Sequence, residues 1–166
     1  EEYIAALAEN LTSHNLELLL EPGRSIVAMA GALITQVEYL KPNDIRQFAI
    51  VDAAMNDLLR PSFYGAWQDI LVVRHRLGDI QTWDIVGPVC ETGDYIGKER
   101  MLCLSQGDLI AVMGAGAYGF SMASNYNSRP RPAEILVTGD SAHVIGHRET
   151  LDALWQREVI PGGSPA

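Results

Sequence analysis

Ala32-Leu33-Ile34-Thr35-Gln36-Val37-Glu38-Tyr39 is the first of a series of β-rich, largely alternating runs, and it marks where the texture of the chain changes. A period of two puts successive side chains on opposite faces of a strand, one for a core and one for water. Comparable runs follow at Phe48–Asp52, Ile70–Arg76, Ile80–Val86, Leu109–Val112, Ala133–Thr138 and His143–Gly146, separated by turns of Pro, Gly, Asn and Asp. Short strands at this spacing predict a mainly β fold, an antiparallel sandwich or barrel, over residues 32–166. A closing helix is predicted over Glu149–Gln156, acidic at its start and stopped before Pro161, and the tail Gly162–Ala166 reads as frayed.

Upstream of the β region, Ile4, Leu7, Ala8 and Leu11 fall at helical spacing behind acids in the first turn. That pattern predicts an amphipathic helix over residues 1–13, ending near His14-Asn15. The nearly all-apolar Leu16-Glu17-Leu18-Leu19-Leu20 then reads as a strand buried on both faces of a parallel sheet. Residues 1–31 are therefore expected to be the last helix–strand unit of an α/β barrel of the TIM type, cut from its other strands. In such barrels the working residues sit at the C-terminal ends of strands, the place that Glu21 to Arg24 would occupy.

With 166 residues and 48% hydrophobic content, the chain has room for one ordinary domain plus an appendage and can bury a real core. A net charge of −9 argues against a nucleic-acid partner, because affinity for a phosphate backbone comes largely from clustered Lys and Arg. No apolar run is long enough to span a bilayer, and Glu1-Glu2-Tyr3-Ile4 lacks the basic start of a signal peptide. The two cysteines, Cys90 and Cys103, do not make a disulfide scaffold, so a reducing cytoplasm is expected. The four histidines are scattered, and no spacing suggests a metal site. Cys103, in apolar Met101-Leu102-Cys103-Leu104, reads as a core residue.

Four stretches stand out, each with an ordinary structural reading beside a functional one. Leu20-Glu21-Pro22-Gly23-Arg24 is a turn by composition, yet Gly23 lets backbone amides approach an anion and Arg24 offers a planar fork to phosphate or carboxylate. In Val51–Tyr64, Arg60 and Tyr64 stand four apart and share one side of a helical turn, which suits a carboxylate, although a solvated Arg beyond a strand end has the same appearance. Gly87-Pro88-Val89-Cys90-Glu91-Thr92-Gly93-Asp94 is a Gly/Pro loop with a thiol, either a small buried hydrophobe or an acid able to give up a proton. Asp108–Phe120 ends a strand in the Gly/Ala-rich turn Gly114-Ala115-Gly116-Ala117-Tyr118, which is weak as a nucleotide signature because no ribose-binding acid follows in a strand–helix unit.

Taken in order, these stretches and their continuations Ser25–Gly31 and Ser121–Glu134 resemble the C-terminal part of the fold-type III pyridoxal-phosphate decarboxylases of basic amino acids. The resemblance covers essentially the whole chain and is strongest to the diaminopimelate decarboxylase family. Glu91 after Cys90 carries that choice, since ornithine decarboxylases have Asp there; Ala54, where the family usually has Gly, is a small departure. The resemblance implies pyridoxal phosphate as cofactor and conversion of meso-2,6-diaminopimelate to L-lysine. It implies that Glu21, Gly23, Arg24 and Tyr118 hold the cofactor, that Arg24, Arg60, Tyr64, Glu91 and Tyr118 hold substrate, and that Cys90 delivers the proton. It implies further that the Cys90–Glu91 loop serves the neighbouring subunit of a homodimer, and that Arg129 and Arg131 are structural or interface charges. The family needs a Schiff-base lysine on a barrel strand, and neither Lys41, in turn-like Leu-Lys-Pro-Asn-Asp, nor Lys98, in charged Gly-Lys-Glu-Arg, has that setting. The chain is thus expected to be a piece of an enzyme, inactive alone, that lacks its N-terminal barrel. The alternatives are a decarboxylase of ornithine, lysine or a carboxylated polyamine, and a non-catalytic β dimerisation domain.

Overall fold

In the computed structural model, which describes residues 2–11, 17 and 19–162, the chain begins with helix α1 (Glu2–Leu11) and reaches a short helix α2 (Arg24–Val27). Strands β1 (Ala32–Lys41) and β2 (Phe48–Val51) lead to α3 (Leu59–Tyr64). There follow β3 (Ile70–Val72), β4 (Gln81–Val86), β5 (Tyr95–Leu102), β6 (Leu109–Met113), β7 (Glu134–Thr138) and β8 (Ser141–Gly146). Strands β3-β6-β1-β2-β4-β5 form one sheet in that order, while β7 and β8 form a separate hairpin. The end strands β3 and β5 approach each other, so the six-stranded sheet nearly closes on itself.

The fold is mainly β, as the alternation predicts, but the sheet is mixed rather than antiparallel. β2 and β4 pair in parallel, Phe48 opposite Asp84 and Ile50 opposite Val86, because α3 and β3 intervene and return the chain in the same direction. Leu33, Thr35 and Val37 of β1 turn inward at a period of two until an irregularity between Val37 and Tyr39 shifts the register. Val37, Val51, Leu58, Ile85, Ile96 and Ile110 are fully enclosed and make the core with Trp83 and Ile70. The buried Thr35 hydroxyl donates to Asp52 Oδ1 and accepts the Ala53 N–H at 3.0 Å, so the start of the 52–58 segment is tied to the core strand.

Three expectations are corrected. β5 has no counterpart in the alternation, because Gly97-Lys98-Glu99-Arg100 has the composition of a charged turn but pairs with β4 through a bulge, with Glu99 at φ +55°. The β3 ladder stops at Val72 rather than at Arg76, whose guanidinium instead faces Asp108 at 3.5 Å. The closing helix shrinks to a 3-10 turn at Asp152–Leu154, and the Glu149 carboxylate ahead of it is engaged by Arg131 and Asn125. Of the predicted barrel strand, Leu16 and Leu18 lie outside the described residues, and Glu17, Leu19 and Leu20 have no sheet partner among the described residues. His14-Asn15 and residues 163–166 also lie outside the described residues.

Candidate functional site

Two backbone segments far apart in sequence are pressed together where Gly31 meets Gly116. The Gly116 N–H donates to Ala28 O at 3.0 Å and the Ala115 N–H to Gly31 O at 2.9 Å. A Cβ on Gly116 would stand 1.9 Å from Val27 O, so only glycine admits this approach. The contact carries the turn containing Gly23 up to the loop containing Tyr118. Tyr118 itself adopts φ +60°, a left-handed conformation that is uncommon for an aromatic residue and that aims its hydroxyl to within 3.8 Å of where a Cβ on Gly23 would lie.

Arg60 joins this group from α3. Its guanidinium carbon lies 5.4 Å from the ring centroids of both Tyr64 and Tyr118, so the pair that shares a helical turn in the sequence also shares a site. Arg24, the first residue of α2, lines with Arg60 a cleft of about 450 Å³ that also includes Met29, Trp67, Gln68 and Gly114. Two guanidinium groups on one cleft make it a receptor for carboxylate or phosphate oxygens. A phosphate suits the Gly23–Tyr118 end, where a side-chain-free backbone faces a phenol hydroxyl. Glu21 is exposed just ahead of α2, and no contact joins it to this group among the described residues.

Cys90 and Glu91 occupy a second group. Cys90 is a free, exposed thiol, and Glu91 lines a cleft of about 260 Å³ with Phe48, Val89, Asp94 and Tyr95. The Glu91 carboxylate accepts the Tyr126 hydroxyl at 2.5 Å, and this bond to an anion holds the phenol's pKa above its ordinary value. The two clefts share no lining residue. The octet 87–94 is closed by its own backbone, with Gly87 N–H donating to Asp94 O at 3.1 Å and Asp94 N–H to Glu91 O at 3.1 Å. A Cβ on Gly87 would lie 2.7 Å from Ala53 O, so the loop is seated directly on the 52–58 segment.

That segment links the two groups. The Asp94 carboxylate, nearly fully buried, accepts Met55 N–H at 2.7 Å and Val89 N–H at 2.9 Å. Burial raises its pKa, against the pull of these two donors. Next to Met55, Asn56 Oδ1 accepts Arg129 Nε at 2.8 Å, and Asp57 lies 3.7 Å from the same guanidinium. Asp57 is also raised by burial, with the Ala54 N–H and Arg129 opposing. Arg129 completes the clamp by donating to Asp52 O at 2.6 Å. The segment leads directly into α3 and Arg60, so one buried polar network fixes both groups.

The sequence singles out Arg24, Arg60, Tyr64, Tyr118 and Gly23, and the structure assembles them; it places Cys90 and Glu91 apart from them. It adds Tyr126, Asn56, Asp57 and the Asp94 carboxylate, none of which has a spacing signal, since their partners come from other strands and loops. Arg129 makes the contacts just described, and Arg131 pairs with Glu149 at 2.5 Å. Among the described residues no three His, Cys, Asp or Glu side chains converge on a metal-sized site, and no helix is long and apolar enough to cross a membrane.

Comparison with known proteins supplies a family context. The sequence model of the family described as "Pyridoxal-dependent decarboxylase, C-terminal sheet domain" matches residues 25–116. The diaminopimelate decarboxylase of Vibrio cholerae is 55% identical over 160 residues, covering 96% of this chain and 38% of that protein. That of Pseudomonas aeruginosa is 55% identical over 159 residues, with the same shares covered. Among solved structures, diaminopimelate decarboxylase from Helicobacter pylori complexed with L-lysine superposes with a TM-score of 0.82 at 47% identity, covering 95% of this chain and 39% of that one. The chain thus spans about 38% of the length of the relatives it matches.

Proposed function

The chain belongs to the pyridoxal-dependent decarboxylase family through its C-terminal sheet domain, and from this premise we propose that it forms the substrate-recognition part of a meso-2,6-diaminopimelate decarboxylase producing L-lysine and CO2. The observation that carries the proposal is the convergence of Arg60 on Tyr64 and Tyr118, with Tyr118 in turn facing Gly23. It sets a carboxylate receptor beside a side-chain-free backbone turn that faces a phenol hydroxyl.

Pyridoxal phosphate, when bound, supplies the electron sink for loss of CO2. Tyr118 and the Gly23 backbone would hold its phosphate, Arg24 would add charge at that end, and Glu21 would keep the ring nitrogen protonated. Arg60, steadied by Tyr64, fixes a substrate carboxylate, so the bond to the leaving carboxylate is held in one orientation. After CO2 has left, the Cys90 thiol would supply the proton that replaces the lost carboxylate on the substrate carbon. Glu91, held by Tyr126, receives the ammonium of the distal amino acid centre.

Because the two clefts are separate on one chain, Cys90 and Glu91 serve the Arg60 cleft of a second copy in a twofold homodimer. Residues 1–31 contribute the last unit of a barrel whose remaining strands bring the cofactor lysine. Lys41 ends β1 exposed, and Lys98 packs over the Tyr95 ring at 4.1 Å, so neither fits that role. The free thiols suit a cytoplasmic enzyme. The test is CO2 release by the full-length protein supplied with meso-diaminopimelate, ornithine, lysine and a carboxylated polyamine in turn. Turnover with meso-diaminopimelate far above the rest is expected; faster turnover of ornithine or lysine would assign the chain to a relative of different specificity.

A further inference from the structure

Arg100 is 5% exposed, and it is the only basic residue in the buried class among the described residues. It is turned inward by the bulge at Glu99, and its guanidinium carbon lies 3.2 Å from the centroid of the Trp67 ring. Trp67 is itself 68% exposed and covers the guanidinium like a lid. No described residue accepts a hydrogen bond from Arg100, and its enclosed Nε has no partner. Asp69, the acid whose charge bears on it, accepts the Trp67 indole N–H at 3.2 Å instead. Burial lowers the Arg100 pKa, which is what an incompletely countered internal cation does.

A guanidinium whose enclosed Nε has no acceptor is a costly arrangement, and an acceptor entering the cleft beside it would relieve that cost. The space for one is present. Arg100 and Lys98 line a narrow cleft of about 100 Å³ with Trp67, Tyr95 and Gly65. Two cations on one wall demand an anion, the planar fork prefers a carboxylate, and the volume admits that group with a few carbons but no nucleotide. Trp67 also lines the Arg24–Arg60 cleft, so the two clefts adjoin, while Arg100 lines only the narrower one of the two.

We propose that Arg100 and Lys98, under Trp67, form a carboxylate-binding site distinct from the Arg24–Arg60 cleft. The carboxylate comes either from a small free acid or from an Asp or Glu side chain of a second copy of the chain. The full-length protein is titrated with acetate at constant ionic strength while tryptophan emission is followed, with sedimentation in parallel. For a free acid, a saturable change is expected that is absent in Trp67→Phe and Arg100→Met, about tenfold weaker in Lys98→Gln and retained in Arg60→Met. Arg100→Lys, which keeps the charge and loses the fork, should bind several-fold more weakly, and it serves if Arg100→Met does not fold. For a side chain of a second copy, acetate and Arg100→Met should each weaken self-association. An acetate response that survives Arg100→Met or vanishes in Arg60→Met overturns the proposal, as does the absence of any effect on both emission and association.

Discussion

The Asp94 carboxylate accepts the backbone N–H of Met55 at 2.7 Å, joining the loop that carries Cys90 to the segment that leads into the helix of Arg60. Its other oxygen holds Val89 N–H at 2.9 Å, so one buried side chain sets where Cys90 and Glu91 stand. Asp94→Asn keeps the volume but supplies one acceptor oxygen for two donors and adds an amide N–H with no partner. A loss of roughly 1–3 kcal/mol in stability is expected, the usual cost of stranding a buried polar group. In the full-length enzyme, turnover should fall more than KM rises. A melting temperature and turnover number equal to the wild type would show that the bridge is dispensable.

Glu149 gives a pH-dependent prediction of defined sign. Hydrogen bonds from the Arg131 side chain, then from its backbone N–H and from Asn125, hold its pKa down at about 2 against an ordinary 4.5. A carboxyl lowered on folding contributes stability that is present above the unfolded value and lost as pH falls through the folded one. Asp57 and Asp94, raised by burial above 3.8, run the other way and lose their contribution as pH rises. The difference in melting temperature between wild type and Glu149→Gln should therefore shrink between about pH 4.5 and 2. A constant difference across that range would mean that the Arg131 contact is not formed in solution.

Much of the sheet is legible from alternation, since Thr35 with Val37 and Ala49 with Val51 place one face of each strand in the core. β5 is not, because a bulge and a buried Arg100 give it the composition of a turn. Nor is the parallel pairing of β2 with β4, since strand order follows from long-range packing and leaves no local pattern. At the site, Arg60 and Tyr64 are readable because four residues make one helical turn, whereas Tyr118 meets Gly23 only through the Gly31–Gly116 backbone contact. The Tyr126–Glu91 bond spans 35 positions between two loops, and composition carries no trace of it.

Arg60 and Cys90 should fail in different ways. On the proposed assignment Arg60 binds a carboxylate throughout the reaction, so Arg60→Lys, which loses the planar fork, should raise KM by roughly 10- to 100-fold with a smaller effect on kcat. On the same proposal Cys90 acts when carbon is protonated, so Cys90→Ala should lower kcat by about 10²-fold or more with KM little changed. Steady-state kinetics of the two full-length variants decide the matter, and an unchanged kcat in Cys90→Ala would remove the thiol from the reaction.

Neither lysine of this chain should anchor the cofactor. After incubation with pyridoxal phosphate and reduction with borohydride, peptide mapping should find no stoichiometric adduct on Lys41 or Lys98. Stoichiometric labelling of either would place the anchor within these residues and refute the division of labour with a barrel domain.

Glu91, next to Cys90 in the 87–94 loop, lines a cleft that shares no residue with the Arg24–Arg60 cleft, and subunit complementation tests most directly whether this loop acts on a second copy. Full-length Cys90→Ala is mixed with a full-length variant lacking its cofactor lysine, under conditions that exchange subunits. If the loop acts across a twofold interface, each heterodimer holds one site with both groups intact and one site with neither. Activity should then recover to about half that of the wild-type dimer per heterodimer formed, one working site of two. Confirmed exchange with activity no higher than that of the separate variants would contradict the account and confine Cys90 to its own subunit.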